Sequence, residues 1–182
     1  MSEKIILGID PGTNIMGYGI LKVENRKPYL ITMGTFDLQK LDDHFVKLKR
    51  IFEETNCLIE KYAPDELAIE APFYGKNIQS MLKLGRAQGA AIASALLHSI
   101  PIFEYAPRKI KMSITGQGNA SKEQVAFMLQ KMLGFKDMPE DLDATDGLAA
   151  AVCHYFQNKV ENSLAGAKSW KDFISKNPGR LR

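Results

Sequence analysis

The sequence predicts an α/β fold, a five-stranded mixed sheet flanked by helices, and three observations carry that prediction. The first is the opening run K-I-I-L-G-I-D-P-G-T at residues 4–13. Its Ile5, Ile6, Leu7 and Ile9 read as a strand buried on both faces, and Pro11-Gly12 forces the chain to turn. The second is a pair of β-compatible runs, residues 17–23 and 29–36, joined by the polar E-N-R-K-P. Connections this short give an antiparallel meander. The third is the change of period from Asp42 onward, after which helical and strand patterns alternate.

The remaining elements follow in order. Phe45, Leu48, Ile51, Phe52, Leu58, Ile59 and Tyr62 recur at three- and four-residue steps, so residues 42–62 form an amphipathic helix closed by Ala63-Pro64. E-L-A-I-E at 66–70 is a short strand that ends in an acid before Ala71-Pro72. F-Y-G-K-N at 73–77 is a loop that displays two aromatics and a lysine beside Glu70. Residues 79–98 are helical, with apolar Met81, Leu82, Leu84, Leu96 and Leu97 and small residues from Gly85 to Ala95. Small side chains admit a second backbone, either the sheet's or another subunit's.

Residues 100–105 are the fifth strand. Residues 107–115 carry Arg108, Lys109 and Lys111 up to the break at G-Q-G-N. Ser121–Gln124 has capping-box spacing and opens a helix ending near Leu133. The last helix begins at 142–144 and runs to 158. Periodicity fades from Lys159, which divides the chain into a folded domain, 1–158, and a flexible basic tail, 159–182.

Composition narrows the function classes. A chain of 182 residues with 45% hydrophobic and 25% charged content is one globular domain by size. No apolar run approaches the ~18 residues of a membrane span, and the N-terminus does not read as a signal peptide. Cys57 and Cys153 lack C-x-x-C spacing, and His44, His98 and His154 are scattered, so no zinc site is expected. The expectation is a reduced, cytoplasmic protein. The net charge of +3 is unevenly spread: residues 1–70 hold 9 basic and 12 acidic side chains, residues 71–136 hold 9 and 2, and residues 137–182 hold 6 and 7. A middle third this basic points to a polyanion, of which nucleic acid is the commonest in the cytoplasm.

The acids supply the chemistry. Asp10 at the tip of a buried strand reads either as a turn-initiating residue or as a ligand for a metal or phosphate site. Glu70 repeats the pattern, and Asp143 and Asp146 fall at i and i+3 on one face of a helix start, where acids are also ordinary caps. As a set of four without a basic partner they would repel one another and raise each other's pKa values. Divalent cations relieve that repulsion, and Mg²⁺ is the hard cation that oxygen ligands prefer. Two such ions ~4 Å apart can activate a water and stabilise a leaving oxygen at a phosphodiester.

Longer motifs carry a resemblance. G-I-D-P-G-T-x-x-x-G-Y-G at 8–19, A-I-E-x-x-F-x-x-K-N at 68–77 and L-K-L-G-R-A-x-G at 82–89 closely resemble the RuvC family of Holliday junction resolvases. So do F-E-Y-A-P-R-x-x-K at 103–111, D-A-x-D-x-L-A-x-A at 143–151 and the chain end G-R-L-R. The element order is similar to the ribonuclease H-like fold. Ala71-Pro72 departs from the family, where Gln and an aliphatic residue are common.

The resemblance implies that Asp10, Glu70, Asp143 and Asp146 are the catalytic, metal-binding carboxylates, with two Mg²⁺ per site and Mn²⁺ able to substitute. Lys111 and Lys122 match basic residues near the scissile phosphate, and Phe73 matches an aromatic that stacks on an unpaired junction base. Lys76, Lys83, Arg86, Arg108 and Lys109 are assigned to DNA backbone binding. The implied activity is resolution of four-way junction DNA in recombination and repair by paired symmetric nicks. A homodimer is expected because a junction offers two equivalent strands, with residues 79–98 as the contact. A branch-migration motor is the partner the family implies. The alternatives are a non-catalytic junction-binding module or another ribonuclease H-like nuclease. Sugar kinases and actin-like ATPases share the opening turn but need a second lobe and a second phosphate loop.

Overall fold

The computed structural model describes residues 3–72 and 77–164, with side chains through 158 in the last helix. Strands β1 (Glu3–Asp10), β2 (Ile15–Glu24) and β3 (Lys27–Asp37) form the antiparallel meander. Strands β4 (Glu66–Glu70) and β5 (Ile102–Tyr105) add in parallel on the other side of β1, so the order is β3-β2-β1-β4-β5. The β2–β3 turn places Asn25 and Arg26 at φ of 52° and 62°, the left-handed pair that a tight hairpin requires. The Tyr155 hydroxyl donates to the Arg26 carbonyl at 2.8 Å and ties that turn to the last helix.

The strands alternate strictly between two cores. Leu7, Ile9, Ile20, Leu67 and Ile69 face one side, where they meet Ile51, Leu58 and Ile59 of α1 (His44–Tyr62) and Ala87, Ala91 and Ala95 of α2 (Ile78–Leu97). Ile6, Leu21 and Ala68 face the other side, against Leu148–Val152 of α5 (Asp143–Leu164). Helices α3 (Pro107–Thr115) and α4 (Lys122–Leu133) pack on α5 through Ile110, Ile114, Val125 and Leu129. A fully buried leucine or isoleucine contributes about 1.5–3 kcal/mol. Most of the α5 contact is alanine, so what α5 loses in side-chain area it must recover by lying close to the sheet.

Helix starts follow capping chemistry. The Asp43 side chain accepts from the Val46 N–H at α1, and Asn77 accepts from the Ser80 N–H at α2. The capping box forms in full between Ser121 and Gln124 at α4. Two elements differ from the sequence reading. Residues 107–115, given no element above, form α3, with Pro107 in the first turn and Gly116 in the left-handed conformation (φ 76°) donating to the Met112 carbonyl. Helix α5 continues past 158 to Leu164, because extending an existing helix costs far less than starting one. Among the described residues no helix is long and apolar enough to cross a membrane.

Candidate metal and catalytic centre

Strand parity decides which acids can meet. On β1, Ile6, Gly8 and Asp10 share the face toward α5, and on β4, Glu66, Ala68 and Glu70 do the same. Ile9 pairs with Ile69, so Asp10 and Glu70 end adjacent parallel strands side by side. The third and fourth acids arrive on the first turn of α5. That turn is pinned by the Asp143 N–H donating to Asp141 Oδ1 at 3.0 Å and the Thr145 hydroxyl donating to the Leu142 carbonyl at 2.7 Å.

Glycines set how near α5 comes. Gly17 is the β2 partner of Asp10, and a Cβ built on it would lie 1.9 Å from the Asp143 carbonyl oxygen. A Cβ on Gly8 would lie 2.1 Å from the Gly147 carbonyl oxygen. Helix backbone therefore rests directly on strand backbone, at a distance that no side chain permits. As a result Asp10, Asp143 and Asp146 each bring one carboxylate oxygen to within 4.8 Å of the others. Glu70 does not complete that cluster at the same distance, but it lies in the field of Asp10 and Asp146.

The electrostatics match a site built around positive charge. Burial, then repulsion by Asp146, pushes the Asp10 carboxyl up to about 7. Burial, then repulsion by Asp10 and Asp146, pushes Glu70 up to about 8, with Lys111 and Lys122 opposing. Asp146 is raised by burial as well, although its hydrogen bond from Lys122 works against the shift. The Lys122 ammonium bridges the two helix acids, reaching Asp143 Oδ1 and Asp146 Oδ2, the latter at 2.6 Å. Burial works against the Lys122 charge, and these hydrogen bonds more than offset it. Three converging carboxylates with Glu70 beside them, Asp10 and Glu70 held back from ionising chiefly by burial, and a lysine drawn between the two helix acids form a donor set that fits divalent metal ions.

The other predicted residues divide into groups. Lys111 is brought near the acids, but its ammonium donates to the Ala120 carbonyl at 2.9 Å, where it braces the loop that leads to Lys122. Arg108 and Lys109 are exposed on α3, the former packed over Gly118 and the latter 5.1 Å from the Tyr105 ring centroid. Lys83 and Arg86 are exposed on α2, across the sheet from α5. Phe73 and Lys76 lie outside the described residues. Sequence reasoning missed Gly8, Gly17 and Gly147, whose signal was glycine inside strand and helix patterns, a mark of close backbone approach. It also missed Gln88, which donates to the Glu70 carbonyl at 3.2 Å and to Glu104 at 2.8 Å from behind the strand.

A family model described as crossover junction endodeoxyribonuclease RuvC matches residues 6–154. A protein of that name from Bacteroides fragilis is 62% identical over 184 residues, covering 100% of this chain and 98% of its own. Another from Christiangramia forsetii is 59% identical over 181 residues, covering 100% and 94%. Among solved structures, Thermus thermophilus RuvC in complex with a Holliday junction substrate superposes with a TM-score of 0.79 at 28% identity, covering 86% of this chain and 96% of that one.

Proposed function

The chain belongs to the RuvC family of crossover junction endodeoxyribonucleases, and we propose that it resolves four-way DNA junctions in recombination and repair by paired, symmetric, metal-dependent nicks. The observation that carries the reading is the convergence of Asp10, Asp143 and Asp146 beside Glu70 and Lys122. These four acids would hold two Mg²⁺ ions, with Mn²⁺ as a substitute. When bound, such ions supply Lewis acidity, neutralising charge on a phosphodiester and acidifying water. The chain's own residues do the rest. Asp10 and Glu70, rigid at strand ends, set the position of the reacting phosphate. Lys122 and Lys111 offset the negative charge that grows on it during transfer.

Exposed basic residues on α3 and α2, Arg108, Lys109, Lys83 and Arg86, bind backbone phosphates of the arms, together with Lys76. Phe73 stacks on an unpaired base at the crossover. Helix α2 supports the homodimer reading: Ile78, Leu82, Gly85, Gly89, Ala93 and Leu96 form one stripe, and among the described residues nothing lies within 4 Å of a Cβ placed on either glycine. We take the nuclease domain as 1–158 and the basic tail as 159–182, with α5 running across that boundary to Leu164 and 165–182 outside the described residues. A cytoplasmic branch-migration motor is the partner that would present the junction.

The test is cleavage of a labelled synthetic four-way junction beside linear duplex and an RNA–DNA hybrid, in Mg²⁺ and in EDTA. Symmetric Mg²⁺-dependent nicks on the junction alone, lost in Glu70→Gln while binding persists, are expected. Binding without cutting in any metal would leave a junction-recognition module, and equal cutting of the hybrid would reassign the substrate.

A further inference from the structure

Three of the four acids of the centre ride on two rods, Glu70 on β4 and Asp143 and Asp146 on α5, and the far ends of the same rods are joined by a buried polar chain that the reaction does not use. Glu66 begins β4 on the face that Glu70 ends, four residues and about 13 Å away. His154 lies on the α5 stripe of Asp143, Asp146 and Ala150, eleven residues and about 16 Å beyond Asp143. At that end His154 Nε2 meets Glu66 Oε2 at 2.7 Å and Nδ1 meets the Tyr105 hydroxyl at 2.6 Å. Asn158, one turn further on, donates to Glu66 Oε2 at 3.1 Å, and the Lys4 ammonium donates to Glu66 Oε1 at 2.5 Å. Phe103 covers the imidazole, with ring centroids 4.3 Å apart, and His154 is fully buried. The tautomer with the proton on Nε2 serves both partners, donating to Glu66 and accepting from Tyr105.

The contact between the two ends makes this chain necessary. From Gly147 to Ala151, α5 meets the sheet with glycine, one leucine and three alanines. Apolar burial is non-directional, and small side chains leave few knobs to resist sliding or rotation. Hydrogen bonds are directional, and buried ones specify one arrangement among several of similar area. We propose that Glu66 and His154 are positioning residues: their hydrogen bond fixes the register of α5 on β4 and thereby sets Asp143 and Asp146 opposite Asp10 and Glu70. The proposal rests on the metal-dependent nuclease reading above.

The test is Mn²⁺ titration calorimetry on the full-length protein, with steady-state cleavage of a four-way junction, for Glu66→Leu, His154→Leu and His154→Gln. The leucine variants are expected to bind Mn²⁺ about tenfold more weakly and to lose kcat while keeping KM, since the acids move and the DNA contacts do not. His154→Gln keeps a donor for Glu66 and is expected to recover most of both. If His154→Leu does not fold, Glu66→Leu carries the test, because Lys4 is already part exposed and returns to water when the carboxylate goes. A folded Glu66→Leu protein with wild-type Mn²⁺ affinity and kcat overturns the proposal, as does a His154→Gln variant no better than His154→Leu. Wild-type protein that binds no Mn²⁺, or binds it equally well as Asp10→Asn, would instead overturn the functional reading.

Discussion

Adding one methyl group at Gly17 tests whether backbone contact builds the centre. The new Cβ would stand 1.9 Å from the Asp143 carbonyl oxygen and 2.9 Å from its carbon. Ordinary contact begins near 3.4 Å, so the first turn of α5 must lift by about 1.5 Å or the β1–β2 ladder must bend by as much. Overpacking of this kind costs about 1–3 kcal/mol, and at roughly 2–4 °C per kcal/mol for a chain of this length Tm should fall by about 2–12 °C. The functional loss should be larger in proportion, because Gly17 sits between Asp10 and Asp143. A displacement of about 1 Å in a reacting geometry is worth roughly 10²-fold in rate. Gly17→Ala is therefore expected to remain folded by circular dichroism, to bind Mn²⁺ weakly in calorimetry and to cleave a junction about 10²-fold more slowly. Gly85→Ala is the contrast: its added methyl meets nothing within 4 Å among the described residues, and it should add up to about 1 kcal/mol of stability through helix propensity alone and so raise Tm. Wild-type metal affinity and rate in Gly17→Ala would refute the reasoning.

Other expectations follow from the electrostatics and the surface. Asp10 and Glu70, raised to about 7 and about 8, hold protons in the folded metal-free protein that the unfolded chain has already released. Their contribution to stability is full below the ordinary carboxylate range and is lost as pH rises toward 8, so melts in EDTA should show Tm declining over that window. Metal must displace the same protons; apparent Mn²⁺ affinity should rise across pH 6–8, and calorimetry in buffers of different ionisation enthalpy should count about one proton released or more. Lys122→Met removes a resident cation from Asp143 and Asp146. It should bind Mn²⁺ more tightly than wild type while cleaving about 10²-fold more slowly, and a parallel loss of both would show that Lys122 only scaffolds the site. Gly89→Glu puts a charge on the open stripe of α2, where an added Cβ meets nothing within 4 Å among the described residues. It should yield a folded monomer in light scattering that nicks the two strands independently, and coordinated bilateral cutting by such a monomer would sink the dimer reading.

The four acids were legible because each sits where a local pattern ends: two at the tips of short apolar strands and two at a helix start. The meander and the mixed character of the sheet were legible because short connections join antiparallel neighbours, while the strand order β3-β2-β1-β4-β5 was not read from the sequence. Helix α3 was harder to read. It offers only Ile110 and Ile114 as a buried pair, so its signals were Pro107 and Gly116 rather than a periodic stripe. Lys111 was placed beside the acids by its motif, yet its ammonium is committed to the Ala120 carbonyl, a contact decided by how the 116–120 loop folds back. What Gly17 admits could not be read, although a glycine inside a strand pattern marked a close approach, and the Glu66–His154 pair could not be read at all. The first depends on where α5 crosses the sheet, and the second joins residues 88 positions apart that become neighbours only after both rods are in place.

Helix α5 brings half of the acids, and it is made late. Asp10 leaves the ribosome first, Glu70 follows, and Asp143 and Asp146 come more than seventy residues after that. At about 5–20 residues per second, roughly 7–30 s of synthesis separates the first acid from the last. Through that interval the sheet and the α1–α2 layer can form, but no partial chain owns a complete set of acids. If the four acids are the catalytic set, a nascent chain, or one cut short before α5, is expected to be harmless to DNA, and nuclease activity is expected to begin only when α5 docks. Loss of α5 by proteolysis ahead of Leu142 is expected to return the protein to that silent state and to uncover the face of the sheet that carries Ile6, Leu21 and Ala68.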